Sequence, residues 1–179
     1  MNIVVTGKVG TGKTTVCEKV VKVARSYGYS CGGILAYKDL DGGIIVIDVQ
    51  TDERQALASL DNIYDGPRTA KYFFNPGAIE FGIRAIERGA GSDILFVDEI
   101  GHLESGGGGF IRALDLIGTG RVKNSILVIR QGLLSVFSPR LDSKSLILET
   151  TRKNRNELPE KICSLLCCDL SPSMGTNRD

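Results

Sequence analysis

Several features that would assign a class directly are missing from this sequence. No apolar run approaches the ~20 residues of a membrane-spanning helix, and the first residues lack the basic region and cleavage site of a signal peptide. The formal net charge is +1, so no strong field favours nucleic acid or an anionic membrane as partner. The five cysteines are odd in number and lack disulfide or zinc spacing. We therefore expect a cytoplasmic protein and, by default, a monomer.

The length fits one domain, and glycine is abundant in it. A chain of 179 residues is long enough to bury one hydrophobic core. We expect a single domain over residues 1–170, followed by a polar, disordered tail over residues 171–179. Glycine occurs 22 times, which predicts many turns and close backbone approaches.

Strand-like and helix-like segments alternate along the chain. Strands are expected at 3–5, 33–37, 44–49, 71–74, 94–97, 125–129 and 145–148. Helices are expected at 14–27, 76–88, 110–117 and 154–166. The turn Asp41-Gly42-Gly43 joins the second and third strands as a hairpin. This order predicts an α/β fold, with a mainly parallel sheet, helices on both faces and an inserted β-hairpin.

A glycine-rich turn after the first strand matches the pattern G-x-x-x-x-G-K-[ST] in full. The motif consists of Gly7, Lys8, Val9, Gly10, Thr11, Gly12, Lys13 and Thr14. Glycines let backbone N–H groups curl around phosphate oxygens, and the following helix directs its positive end at the same anion. Lys13 is expected to bind the β- and γ-phosphates, Thr14 to ligate Mg²⁺ and Thr15 to meet the α-phosphate. The pattern indicates a P-loop, whereas the dinucleotide pattern G-x-G-x-x-G is absent.

Two carboxylates, Asp98 and Glu99, follow the most apolar strand. In a P-loop fold the aspartate at this strand end lies beside Mg²⁺, and the adjacent glutamate can polarise an attacking water. We therefore predict that Asp98 and Thr14 position the metal and that Lys13 and Glu99 are catalytic. This arrangement favours hydrolysis over transfer to a second substrate. The alternative is that both carboxylates cap a strand in a solvated loop.

The sequence resembles the THEP1-type nucleoside-triphosphatases, which are small P-loop NTPases. The resemblance rests on GKVGTGKTT at 7–15, on VDEIGHLE at 97–104, and on further stretches at 47–59, 71–86 and 151–162. It implies a three-layer P-loop NTPase fold. It also implies slow, Mg²⁺-dependent hydrolysis of ATP, GTP and other nucleoside triphosphates, with broad tolerance of the base.

The resemblance further implies which residues meet the nucleotide. A second binding segment would consist of Leu95, Phe96, Val97, Asp98, Glu99, Ile100, Gly101 and His102. Asn154 and Arg155, which follow the last strand, would contact the base or ribose.

The sequence departs from the family pattern in three places. His102, the single histidine, stands where the family commonly has lysine, so the sequence supplies no fixed positive charge there. The run LAYKD at 35–39 replaces Thr-x-Glu-Val-Arg, so no role of that arginine is transferred. The glycine run at 106–109 is longer than expected.

Arg130, at the end of another strand, is either a contact to the γ-phosphate or a solvated arginine.

Hydrolysis of nucleoside triphosphates is the leading functional hypothesis. One alternative is a small-molecule or nucleotide kinase, which would need an acceptor pocket and usually an arginine-bearing lid. A second alternative is a nucleotide-dependent switch or adaptor whose hydrolysis is incidental. The expected partner is the nucleoside triphosphate alone, without a membrane or nucleic acid.

Overall fold

The structure is a computed structural model that describes residues 1–168, with side chains described to residue 166. Its strands are β1 (Asn2–Thr6), β2 (Cys31–Lys38), β3 (Ile44–Asp48), β4 (Arg54–Ser59), β5 (Phe73–Phe74), β6 (Ile94–Ile100), β7 (Ser125–Ile129) and β8 (Leu146–Glu149). The predicted domain end at residue 170 and the predicted tail over 171–179 lie outside the described residues.

The helices lie between these strands, except for the last helix, which follows β8. They are α1 (Lys13–Ser26), α2 (Pro76–Gly89), α3 (His102–Ser105), α4 (Arg112–Gly118), α5 (Leu134–Phe137) and α6 (Leu158–Cys168). The start of α2 follows from its sequence, because the Asn75 side chain accepts a hydrogen bond from the Gly77 N–H at 3.0 Å and Pro76 occupies the first helical position. Among residues 1–168, no helix is long and apolar enough to cross a membrane.

All eight strands form one sheet in the order β5-β4-β3-β2-β6-β7-β1-β8. The five strands from β2 to β8 in this order are parallel, which confirms the predicted mainly parallel sheet. The other three extend the sheet in antiparallel fashion beyond β2. The predicted hairpin is therefore only part of the insertion. The additional strand β4, with the sequence RQALAS, lacks the β-branched residues that would have identified it.

Two apolar clusters cover the two faces of the sheet and confirm the three-layer arrangement. Leu95 and Val97 of β6 pack on the side of α2 and α4, whereas Phe96 of the same strand packs on the side of α1 and α6. Central parallel strands are buried on both faces, so they appear in the sequence as continuous apolar runs.

Several helix boundaries differ from the predicted ones. The last helix begins at Leu158 rather than at Asn154, because residues 154–157 form a turn and Pro159 lies in the first helical turn. The helices α3 and α5 have four residues each and are too short to show a helical period. The glycine run at 106–109 forms the predicted loop, which connects α3 to α4.

Candidate active site

The P-loop, the acidic pair and the turn with Asn154 and Arg155 meet at one edge of the sheet, where the parallel strands end. The strands β1, β6, β7 and β8 are followed, respectively, by the P-loop, by Gly101 and α3, by Arg130 and by Thr150. Because β7 lies between β1 and β6, Arg130 emerges between the P-loop strand and the strand that carries the acidic pair. The carboxyl ends of parallel strands are the usual ligand-binding edge of α/β sheets.

The P-loop curls around the ammonium group of Lys13. This side chain is only 7% exposed, and its Nζ donates hydrogen bonds to the carbonyl oxygens of Gly7 and Lys8, each at 3.1 Å. Gly12 has a φ of +96° and is the residue that precedes α1. The buried lysine and the start of a 14-residue helix place two sources of positive charge in the same loop.

The last strand and the turn after it pack directly against the P-loop. A Cβ atom at Gly7 would lie 2.4 Å from the carbonyl oxygen of Thr150, and Gly7 has a φ of +142°. A Cβ atom at Gly12 would lie 3.4 Å from Cδ of Arg155. The glycines therefore also allow close packing of neighbouring segments, and the side chain of Arg155 lies beside the beginning of α1.

The side chain of Asn154 forms hydrogen bonds within the turn that carries Arg155. Its Oδ1 accepts the N–H of Thr151 at 2.8 Å, and its Nδ2 donates to the carbonyl oxygen of Glu149 at 2.9 Å. Both ends of the amide thus bind backbone groups, one in the turn and one at the end of β8, whereas Arg155 is exposed. Of the two residues, Arg155 has the guanidinium available for a ligand.

Asp98 is a buried carboxylate with one oxygen left unpaired. The residue is 1% exposed, and its Oδ2 has no hydrogen-bond partner among residues 1–168. Burial raises the pKa of Asp98 to about 7, against the opposing effect of the adjacent Thr14 hydroxyl. The Thr14 hydroxyl donates its hydrogen bond to the carbonyl oxygen of Ala36 at 3.3 Å. An unpaired buried carboxylate oxygen next to a hydroxyl suits Mg²⁺, which prefers oxygen ligands and would offset the cost of burying the charge.

Glu99 lies at an irregularity in the pairing of β6 with β7. Asp98 is opposite Val128 and Ile100 is opposite Ile129, so Glu99 is an extra residue on its strand. Such bulges change the direction of a side chain and are frequent next to active sites. The Oε1 atom of Glu99 accepts a hydrogen bond from Nε of Arg130, which forms an ion pair at the rim of the site.

A third carboxylate, Glu104, was not predicted as a site residue. It is 5% exposed, and it accepts the backbone N–H of Gly101 at 2.7 Å and that of Phe110 at 3.0 Å. Burial raises the pKa of Glu104. The side chain thereby ties both ends of the loop between β6 and α4 together. A glutamate three residues after a glycine at a helix start is a capping pattern that could have identified it.

The remaining residues of the second predicted segment have mainly structural positions. Leu95, Phe96, Val97 and Ile100 are all 0% exposed and fill the core, because β6 is a central strand with a helix layer on each face. His102 is exposed at the first residue of α3. Within this segment, Asp98 and Glu99 are therefore the residues whose side chains lie at the P-loop edge and carry groups that can bind a metal ion or accept a proton.

The chain is similar in sequence to a known family of proteins. The sequence profile of the NTPase family matches residues 2–163. The nucleoside-triphosphatase THEP1 of Methanothermobacter thermautotrophicus is 30% identical over 161 residues, which cover 87% of this chain and 91% of that protein. The corresponding THEP1 of Methanopyrus kandleri is 29% identical over 168 residues, covering 90% and 92%.

The fold is likewise similar to that of a solved structure. The crystal structure of THEP1 from the hyperthermophile Aquifex aeolicus superimposes with a TM-score of 0.74 at 23% identity, covering 93% of this chain and 99% of that chain. The site geometry, the family profile and the curated relatives lead to the same assignment. This chain belongs to the THEP1 family of nucleoside-triphosphatases.

Proposed function

We propose that this protein hydrolyses nucleoside triphosphates, among them ATP and GTP, to the diphosphate and phosphate in a Mg²⁺-dependent reaction. The observation that carries the proposal is the position of Glu99. Glu99 directly follows the buried Asp98, its side chain is 26% exposed, and it lies at the sheet edge that holds the P-loop. A partly solvated carboxylate at this place can accept a proton from water.

The P-loop is proposed to bind the triphosphate. The residues involved are Gly7, Lys8, Val9, Gly10, Thr11, Gly12, Lys13, Thr14 and Thr15. Backbone N–H groups of the loop and the N-terminal end of α1 favour phosphate oxygens there. Lys13 is catalytic in this proposal, because its ammonium group within the loop would stabilise the negative charge that develops on the β- and γ-phosphates.

Thr14 and Asp98 are proposed to hold Mg²⁺, directly or through its water ligands. The unpaired Oδ2 of Asp98 and the neighbouring hydroxyl supply the oxygen donors. When bound, the ion would neutralise charge on the phosphates.

In the proposed reaction Glu99 takes a proton from the attacking water. The water oxygen then forms a bond to the γ-phosphorus, and the bond from that phosphorus to the bridging oxygen of the β-phosphate breaks. The nucleoside diphosphate leaves with the electron pair of that bond. The products are the diphosphate, inorganic phosphate and a proton, first held by Glu99 and then released to solvent.

Arg155 is the proposed contact for the base or ribose. Its exposed guanidinium lies beside Gly12, and the turn that carries it is held by Asn154. A planar guanidinium can stack on any base, which is consistent with broad base tolerance. Asn154 would act by holding this turn.

Cytoplasmic location and a monomeric state stay predictions, and light scattering would test the monomeric state.

The test is phosphate release by the purified protein with Mg²⁺ and ATP or GTP, beside the variant Glu99→Gln. We expect kcat to fall about 10²–10⁴-fold, with nucleotide binding kept. Glu80→Gln is the control, because Glu80 is an exposed α2 residue with a 72% exposed side chain. Equal release by wild type and Glu99→Gln would exclude the proposed role of Glu99. Phosphate transfer that requires an added acceptor would establish a kinase instead, and nucleotide-dependent partner binding without turnover would establish a switch.

A further inference from the structure

The ion pair between Glu99 and Arg130 joins two strand ends that are 31 residues apart in the chain. Arg130 follows β7 directly, and its backbone N–H donates to the carbonyl oxygen of Ile100 at 3.3 Å. The backbone of Arg130 is thereby fixed to the residue after Glu99. Its side chain then reaches back to the carboxylate through Nε.

The pair leaves the second carboxylate oxygen of Glu99 available. Within residues 1–168, Oε2 of Glu99 has no hydrogen-bond partner, and Nε of Arg130 engages Oε1 alone. Both side chains lie at the rim of the site, 26% and 36% exposed. A glutamate at such a rim would otherwise sample several rotamers, and a contact that selects one of them must offset the lost side-chain freedom. The arginine therefore restricts one oxygen while the other stays open to a water.

The pair is packed against a backbone that is itself held in place. A Cβ atom at Gly101 would lie 3.3 Å from Nε of Arg130 and 3.6 Å from Oε1 of Glu99. The N–H of Gly101 is bound by the buried carboxylate of Glu104. This packing distinguishes the pair from an isolated surface ion pair, whose geometry is set by solvent and whose contribution is small.

We infer that Arg130 is a positioning residue, which holds the Glu99 carboxylate in the orientation that accepts a proton from the attacking water. This inference rests on the proposed function, since it assigns Arg130 a role through Glu99. Arg130 acts on the carboxylate and need not touch the nucleotide. Its removal should slow the chemical step while leaving nucleotide affinity in place.

The test compares Arg130→Gln with wild type in steady-state phosphate release and in equilibrium binding of a fluorescent ATP analogue. We expect kcat to fall about 10–100-fold, the scale of a misplaced reacting group, while the dissociation constant changes less than about threefold. Arg130→Lys should recover part of kcat, because an ammonium group can pair with one carboxylate oxygen. Arg84→Gln on α2 is the matched control, since Arg84 is 58% exposed and, in the described part of the chain, forms an ion pair with Glu80 alone.

The double variant Glu99→Gln with Arg130→Gln separates this inference from the proposed function. If Arg130 acts through Glu99, the double variant is no slower than Glu99→Gln alone. The positioning role would be overturned if the double variant lost kcat by the product of the two single losses. It would also be overturned by an unchanged or increased kcat in Arg130→Gln, or by a large loss of nucleotide affinity in that variant. Full activity of Glu99→Gln would instead overturn the water-activating role of Glu99. Thermal melting of Arg130→Gln and Arg130→Lys verifies that both variants are folded.

Discussion

Replacement of Asp98 by asparagine is expected to stabilise the protein without metal and to weaken its binding of Mg²⁺-nucleotide. The carboxylate is buried with one oxygen unpaired among residues 1–168, and burial raises its pKa from 3.8 to about 7. A group whose folded-state pKa is raised loses its stabilising contribution as the pH rises through that value. The cost of burying Asp98 therefore develops between about pH 4 and pH 7 and is complete above pH 7.

The magnitude follows from this pKa. At about 1.36 kcal/mol for each unit between 3.8 and about 7, the buried charge costs about 4 kcal/mol at pH 8. Asparagine carries no charge, but its buried amide would lack some of its hydrogen bonds at a cost of about 1–3 kcal/mol. The expected net gain in the free energy of unfolding of Asp98→Asn is therefore about 1–3 kcal/mol at pH 8. At pH 4 the carboxyl of the folded wild type is protonated, so the gain should vanish and only the cost of the buried amide, about 1–3 kcal/mol, should remain.

Urea denaturation in EDTA at pH 8 and pH 4 measures this difference. Asp61→Asn is the control, because Asp61 is exposed and its substitution should stay within about 0.5 kcal/mol. In a second arm, Mg²⁺-nucleotide should raise the melting temperature of wild type more than that of Asp98→Asn. Lower stability of Asp98→Asn at pH 8 would refute the argument from the buried charge. Equal stabilisation by Mg²⁺-nucleotide would refute the role of Asp98 in holding the metal.

Two further substitutions test the fold that supports the site. Gly33→Ala would place a Cβ atom 2.0 Å from a backbone oxygen of β6, so we expect the free energy of unfolding, measured by urea denaturation, to fall by about 3 kcal/mol or more. Gly118→Ala is the control and should be nearly neutral, because nothing lies within 4 Å of a Cβ atom at Gly118. Equal losses in the two variants would contradict the steric reason. Asp93 accepts hydrogen bonds from the hydroxyl and N–H of Ser30, which hold the pKa of Asp93 at about 2. Asp93→Asn should therefore lower the free energy of unfolding by about 1 kcal/mol at pH 7. The difference in melting temperature between this variant and wild type should shrink as the pH falls from about 4 to 2. A difference that is constant with pH would exclude a charge effect.

The parts of the site that could be predicted are those in which neighbouring residues share one function. The P-loop is such a case, because its glycines, Lys13 and Thr14 act together within eight consecutive positions. The acidic pair could be found because it ends the most apolar strand, and ligands bind at the carboxyl ends of such strands. The parallel core was predictable for the same reason, since strands buried on both faces appear as apolar runs.

The parts that could not be predicted depend on which strands are neighbours. The pairing of Glu99 with Arg130 requires β7 to lie next to β6, and the contact of Arg155 with the P-loop requires β8 to lie next to β1. Neither adjacency is visible in local periodicity. The strand β4 does not stand out in the sequence because half of its residues are exposed and it is weakly β-forming; its pairing with β3 and β5 determines its conformation.

The central claim is that water, rather than a second substrate, attacks the γ-phosphorus. It is tested most directly by a reaction with ATP and Mg²⁺ in ¹⁸O-labelled water, without any acceptor, followed by mass spectrometry of both products. The account predicts that the released phosphate gains one ¹⁸O atom from solvent while the diphosphate gains none, and that Glu99→Gln forms this labelled phosphate far more slowly. Label in the diphosphate, or no phosphate release until an acceptor is added, would contradict it.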